Sequence, residues 1–362
     1  MDTLPSTPLA DRVLRPSLAV TGLFVLALFL ALHEGRAFFL PMVLAVLLHF
    51  LFSPVIRGLR RARIPEPMGA AVVLVGLLLT VGLAGYYLAG PTRTWLAEAP
   101  ASISQTQTRL RRLLRPVAQV TRTAEQVAQA TDVNTGRTPQ VVIRGKSLGE
   151  RLYGTTENLV AGVVMVIVLL YFLLASGDLF LQKVIRGLPH LEDKTLAVAI
   201  AREAEASVSR YLLSMALINA GQGLLVAAAL AMLGVPTPLL WGVLSAVLAW
   251  IPYVGALAMM LVLAVLGFQT FDALGQALLV PGAFVAINQL VANFVTPNVL
   301  GRRLKLNRVA IVLGLFFWTW IWGVPGAFVA VPLLATFKIF CDHVKALRGV
   351  AEFLGEQREA AG

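Results

Sequence analysis

The feature that most restricts what this chain can fold into is the recurrence of apolar runs about as long as a bilayer is thick. Met68 to Gly90, Leu159 to Ala175 and Leu212 to Leu233 are predominantly apolar over 17 to 23 residues each. A helix needs about 20 residues, at about 1.5 Å per residue, to cross a hydrocarbon core roughly 30 Å thick. Lipid offers no partner to an open backbone N–H or C=O, so a run that enters it must be helical. Composition agrees. A soluble domain is about one quarter charged, whereas 14% of these 362 residues are charged, 58% are hydrophobic and the mean hydropathy is +0.79. The sequence therefore predicts an all-α integral membrane protein. Leu18 to Leu32 leads through His33-Glu34-Gly35-Arg36 straight into a second apolar run, Ala37 to Phe52. That pair reads as a retained transmembrane hairpin rather than a cleaved signal.

Several functional classes drop out. A single cysteine, Cys341, forms no intramolecular disulfide and supplies no metal-ligand spacing. The only His-Glu pair is His33-Glu34, with no HExxH and no GxSxG turn, and no phosphate-binding glycine loop is present. No catalytic residue, metal or cofactor is expected, and the chain reads as a non-enzyme. The net charge of +11 reads as a topology signal in a membrane protein and not as a nucleic-acid surface.

Cytoplasmic ends of spans are rich in Lys and Arg. Arg12 and Arg15 before the first span, and Arg57, Arg60, Arg61 and Arg63 after the second, place both segments inside. The third span then exits, Asp178 to Arg210 is inside again, and the fifth span ends outside at Gly234-Val235-Pro236. GRRLKLNR, residues 301–308, should be cytoplasmic, so an odd number of crossings separates it from Pro236. Two apolar blocks lie between. The first, Leu239 to Phe268, contains LAWIPYVGALAMM, in which Pro252 removes a helical hydrogen bond at a break of about 3 kcal/mol or more. Folding back at Pro252 to Gly255 leaves arms of about 14 residues, roughly 21 Å and too short to span. Ala277 to Val295 then makes the single crossing. Val309 to Trp322 and Ala327 to Phe340, parted by Gly323-Val324-Pro325-Gly326, form a second interrupted pair flanked by basic residues. The expected architecture is about six transmembrane helices plus two re-entrant helical hairpins, eight hydrophobic segments in all, with both termini cytoplasmic. Residues 1–90 hold the first three spans and 91–155 an extracytoplasmic amphipathic helical insertion. Residues 156–341 form the core, with hairpins near 239–268 and 309–340, and 342–362 a polar cytoplasmic tail. Ordinary spans with proline kinks are the alternative for both hairpins.

Interrupted apolar segments in related positions point to a transporter's midplane site, because helix ends bring polar backbone to membrane depth. Polar side chains within spans point the same way. Asn288, Gln289 and Asn293 lie in INQLVANFVTPNVLG, where Gln289, Asn293 and Pro297 recur at i, i+4 and i+8. Asn219 and Gln222 form a second amide pair in LINAGQG, and Trp250 and Tyr253 flank the first break. Amides donate and accept, so these residues suit either a small polar solute or a neighbouring helix, with Gly221 and Gly223 allowing close approach. Asp178 and Asp272 sit at span ends, and His49, about a turn from Ser53, reads as interfacial. Coupling to a proton or sodium gradient therefore has little support in the spans.

Taken in order, SPVIRGLRRARIPEPMG, YFLLASGD, GVPTPLLWGVLSAVLAWIPYVGA, ANFVTPNVLGRRLKLN and WGVPGAFVAVPLLATFK resemble the autoinducer-2 exporter family of bacterial membrane transporters. The resemblance implies an inner-membrane, multi-pass permease that exports a small polar or amphiphilic solute such as an autoinducer-2-like signal, a metabolite or a drug. Cation/proton antiport is a second activity linked to such proteins, and a non-transporting, homo-oligomeric scaffold or channel-like assembly is a reading of another class. A homo-oligomer in the lipid bilayer, with a small-molecule solute and no nucleic acid as partners, is the expected assembly. The family's Pro-x-x-Gly turn falls on Pro252 and Gly255, its Asn-x-x-x-Pro element on Asn293 and Pro297, with Gly301 beyond it, and its glycine-rich last turn on Gly323, Pro325 and Gly326. Val291 stands where many members carry a carboxylate, and Arg308 where a proline often follows. The missing carboxylate argues against cation antiport.

Overall fold

The computed structural model describes residues 18–90, 92–93, 148–177, 191–300, 306–344 and 347–355. Among these, every regular element is helical, apart from an isolated bridge between Leu306 and Gly355. In chain order the helices are α1 (Leu18–Glu34), α2 (Arg36–Arg61), α3 (Glu66–Gly90), α4 (Leu148–Ser176), α5 (Leu191–Met232), α6 (Pro238–Leu248) and α7 (Val254–Thr270). Then come α8 (Leu274–Leu300), α9 (Arg308–Trp322), α10 (Val324–His343) and α11 (Arg348–Leu354). Most of the insertion expected between 91 and 155, together with Arg12, Arg15, Asp178, Gly301 and Lys305, lies outside the described residues.

Among the described residues, five helices are long and apolar enough to cross a membrane: α2, α3, α5 from Ala197, α8 and α10. The apolar parts of α1 and α4 are shorter, at Ala19–Glu34 and Val160–Ser176. Two differences from the sequence reading stand out. First, the cytoplasmic stretch before the fifth span is continuous with it from Leu191, giving a helix of 42 residues, about 63 Å long. Leu191 to Ala220 contains neither Pro nor Gly and is rich in Ala, Glu, Arg and Leu, all strong helix formers. Second, the hairpins are unequal. The first has arms of 11 and 17 residues and the second of 15 and 20. In the second, Pro325 occupies the first turn of α10, where its missing N–H interrupts nothing, so the break shrinks to Gly323 alone. Gly323 there adopts φ +68, open to glycine at little steric cost.

Side-chain contacts fix how far each hairpin reaches. At the turn between α9 and α10, Trp322 Nε1 donates to the Leu32 carbonyl at 3.0 Å, and His33 Nδ1 lies 3.1 Å from the Ile321 carbonyl. That turn is therefore level with the turn joining α1 to α2. At the opposite end of the bundle, Arg57 on α2 pairs with Glu205 on α5 at 2.7 Å, and His343 on α10 lies 3.2 Å from Glu203. Between these levels α10 runs the same distance as α2, about 30 Å for 20 residues. The first hairpin goes only half as deep. It starts beside the end of α5, where Trp241 Nε1 donates to the Pro236 carbonyl, and α6 then advances 11 residues, about 16 Å, before turning.

Packing explains why it can sit there. α6 lies chiefly on α5 and α7 chiefly on α8, so the hairpin is wedged between two long helices. A Cβ on Gly223 would meet the Gly242 carbonyl at 2.6 Å, and one on Gly242 the Gly223 carbonyl at 2.5 Å. These two backbones touch. Gly221, by contrast, faces open space. Val226, Leu230, Trp241, Met259, Leu263, Val280 and Phe284 bury together around the hairpin, and Ile251 at its tip packs on Leu315, Ala327 and Ala330 of the second hairpin.

Candidate functional site

The tip of the first hairpin resolves the break at Pro252 without leaving its backbone open. Ala249 N–H donates to the Ser245 carbonyl, Trp250 N–H to Val247, Ile251 N–H to Leu248 and Gly255 N–H to Ile251, all between 2.9 and 3.2 Å. Val254 N–H closes on the Pro252 carbonyl at 2.6 Å around Tyr253, whose φ of 62° and ψ of −54° make the rarer, strained form of the γ-turn. A side chain held at such a backbone costs on the order of 1–3 kcal/mol and persists where its surroundings over-determine it. Gly255 is one such constraint: a Cβ there would lie 1.8 Å from the Leu248 carbonyl oxygen. Gly326 repeats the device in the second hairpin, where a Cβ would lie 1.9 Å from the Trp318 carbonyl oxygen.

Around this tip lies a cavity of about 310 Å³ between α5, α6, α7 and α8. It gathers Asn219, Gln222, Tyr253, Asn288 and Gln289 with Pro252 and Gly255, which the sequence singles out in three separate stretches. Gln222 Nε2 donates to Asn288 Oδ1 at 3.3 Å, joining α5 to α8. Asn219 is 4% exposed and Ser245 1% exposed, yet Asn219 Nδ2 and Ser245 Oγ have no hydrogen-bond partner. A buried polar atom left in that condition costs about 1–3 kcal/mol, which marks this wall as one suited to a polar occupant. The level is central. Asn288 is 14 residues, about 21 Å, into α8, and Gln222 is 10 residues, about 15 Å, from the end of α5.

The cavity is also lopsided. Toward Pro236 it is stopped by a buried cluster of Val226 and Leu230 on α5 and Val235 just after it, with Met259, Leu263 and Leu266 on α7 and Val280 and Phe284 on α8. From Gln222 to the end of α5 this apolar plug is 10 residues, about 15 Å, thick. Toward the other side the lining continues through Met215 and Thr296, and Tyr253, Gln289 and Ala292 are exposed.

Not every singled-out residue is here. Trp250 packs with the cluster of α2, α5, α9 and α10. Asn293 is exposed and donates to the Gln289 carbonyl of its own helix at 2.9 Å. Pro297 is exposed beside it, while Gly323, Pro325 and Gly326 belong to the second tip. The helix face toward the cavity is Asn288, Ala292 and Thr296, one residue off the Gln289, Asn293, Pro297 row. Val291–Val295 is a π turn, in which Thr296 N–H reaches back five residues to the Val291 carbonyl. Such turns re-aim the side chains that follow. Ser245 is the residue sequence reasoning passed over. Its signal was slight, a lone hydroxyl in the apolar run LLWGVLSAVL.

A second, charged cleft of about 560 Å³ lies at the Arg57 end, lined by His49, Ser53, Arg57, Arg60, Glu66, Arg202 and Glu205. Ser53 Oγ donates to Glu205 Oε1 at 3.0 Å beside the Arg57 pair, and Arg60 holds Glu66 at 2.8 Å. Among the described residues no three His, Cys, Asp or Glu side chains cluster as a metal site.

A family model described as AI-2E family transporter matches residues 22–346, which takes in α1 through α10. The chain belongs to the AI-2E transporter family. It is thus a multi-pass membrane protein of a bacterial transporter family. Relatives are distant but long. The AI-2 transport protein TqsA of Escherichia coli K12 is 25% identical over 87% of this chain and 89% of its own. "Putative transport protein YueF" of Bacillus subtilis is 26% identical over 85% of each. A "Putative transport protein" of Borreliella burgdorferi is 29% identical over 57% of each chain.

Proposed function

We propose that this AI-2E family protein exports a small polar solute across the bacterial inner membrane by alternating access, with the Asn219–Gln222–Ser245–Asn288 cavity as the station of the solute. The observation that carries this is the lopsided cavity: polar side chains midway along two long helices, a dry plug on one side and exposed lining on the other. With the basic ends of the spans inside, the exposed side faces the cytoplasm, which is the loading side for an exporter. The depth of α6, about 16 Å, supports a re-entrant first hairpin, whose tip would move when the plug opens. The second hairpin, level at its turn with the α1–α2 turn, is better described as two crossings, which leaves the parity of the termini unchanged. The name of the Escherichia coli relative makes an autoinducer-2-like signal one cargo to test.

The test compares metabolites in medium from cells with the intact protein, without it, and with Asn288→Leu. At least one small polar metabolite should accumulate outside only with the intact chain. Identical media, with the protein shown to be in the membrane, would overturn the reading. Topology is checked separately in a Cys341→Ala background with single cysteines at Thr237 and Lys305. They should label from opposite sides, and labelling from one side removes the re-entrant hairpin.

A further inference from the structure

The chemistry of the same cavity narrows the class of solute. Between Arg210 and Arg302 the chain carries one charged residue, Asp272, and none from 211 to 271. Asp272 lies beyond the dry plug, 16 residues before Asn288 and about 24 Å along the helix. None of the described residues that line the cavity is charged. An ion entering it would leave water with no counter-charge, and ions removed from water without a partner are strongly disfavoured. Carbonyl oxygens could replace water around a cation, but six of those at the tip, of Ser245, Val247, Leu248, Ile251, Pro252 and Tyr253, already accept a backbone N–H, so the tip is no ring of open carbonyls.

Among the polar groups of the wall, two stand without a partner. Asn219 Nδ2 can only donate, and Ser245 Oγ carries a hydroxyl proton; both are more than nine-tenths buried and without partners. They stand on adjacent helices, α5 and α6, against the same cavity. A solute that satisfies them must bring an acceptor oxygen or nitrogen. From these groups we infer that the cavity selects an uncharged solute with a hydrogen-bond acceptor, held by Asn219 and Ser245, and rejects inorganic cations and organic anions. This rests on the reading that the cavity lies on the path of the solute.

Thiol chemistry tests it without knowing the solute. In full-length Cys341→Ala protein in proteoliposomes, single cysteines replace Ala292, which is exposed in the lining, or Ala256, also in the lining. The probes are methyl, trimethylammonium-ethyl and sulfonato-ethyl methanethiosulfonate, each rate divided by that with a free thiol in water. The neutral reagent should exceed both charged ones by about tenfold or more at both positions. Adding Asn219→Asp should raise the cation-to-anion ratio by about tenfold or more, while Asn219→Leu leaves both charged reagents slow. Equal rates for neutral and charged reagents overturn charge selection and leave the path reading standing. Silence of both cysteines toward all three reagents, from either side, overturns the path reading and this inference with it.

Discussion

Replacing Gly255 by alanine adds one methyl group at the tightest point of the first hairpin. The new Cβ would lie 1.8 Å from the Leu248 carbonyl oxygen and 2.7 Å from its carbon. Contacts under 3.0 Å are essentially never seen for real Cβ atoms, so the two backbones must part by at least 1.2 Å, the difference between those distances. Neither side yields easily. The Leu248 carbonyl holds the Ile251 N–H and Gly255 N–H holds the Ile251 carbonyl. Overpacking typically costs about 1–3 kcal/mol, and a clash of backbone with backbone belongs at the upper end. Alanine returns about 0.5–1 kcal/mol of helix propensity, leaving a net loss of about 2 kcal/mol. At roughly 2 °C per kcal/mol for a chain of this size, the thermal midpoint of the purified protein should fall by about 4 °C. Because Tyr253 and the cavity wall shift with the tip, export should fall by about tenfold or more. Gly326→Ala should behave alike in stability, its Cβ meeting the Trp318 carbonyl at 1.9 Å. Gly221→Ala, which meets nothing within 4 Å, is the control. A Gly255→Ala protein with unchanged midpoint and unchanged export would refute the hairpin geometry described above.

Four further outcomes are expected. Ser245→Ala removes a buried hydroxyl without a partner and should raise stability by about 1 kcal/mol while lowering export; a fall in the melting temperature would show that the hydroxyl is paired. Gly223→Ala should destabilise by about 1–3 kcal/mol through its clash with the Gly242 carbonyl, whereas Gly221→Ala, two residues away, should be neutral or mildly stabilising, read by thermal unfolding in detergent. Glu205→Gln should cost less than about 1 kcal/mol, since its partner Arg57 is 54% exposed, and the difference should vanish in high salt. Cys341 is fully buried, so maleimide should label the wild-type protein only after denaturation.

Local chemistry made much of the core legible. Pro252 and Gly255 marked a turn inside an apolar block, and the turn lies there: Pro252 has no N–H to offer a continuing helix, and the glycine admits the Leu248 carbonyl, whereas Pro41, Pro54, Pro281 and Pro332 sit inside helices that continue. The amides Asn219, Gln222 and Asn288 were recognisable because membrane helices seldom carry them without a polar partner, and they share one cavity. The face of α8 was harder. Counting by four put Asn293 with Gln289, and the two do share an exposed row, but the row beside it, Asn288, Ala292 and Thr296, is the one that faces the cavity, and Asn293 donates to its own helix. Which of two neighbouring rows of one helix meets the cavity is set by packing, which spacing along the chain does not report.

Composition and spacing by themselves determined the solvent, the helical class and where the two apolar blocks break, since those follow from desolvation and backbone sterics within a few turns of chain. Depth and partnership were decided only in three dimensions. The two hairpins share Pro and Gly signals, yet one stops level with Asn219 and the other reaches the α1–α2 turn, because Gly223 against Gly242 and Trp322 against Leu32 set their heights. Ser245 became part of a site for the same reason. Its hydroxyl is ordinary in the sequence and acquires meaning only where packing denies it a partner in the wall of a cavity.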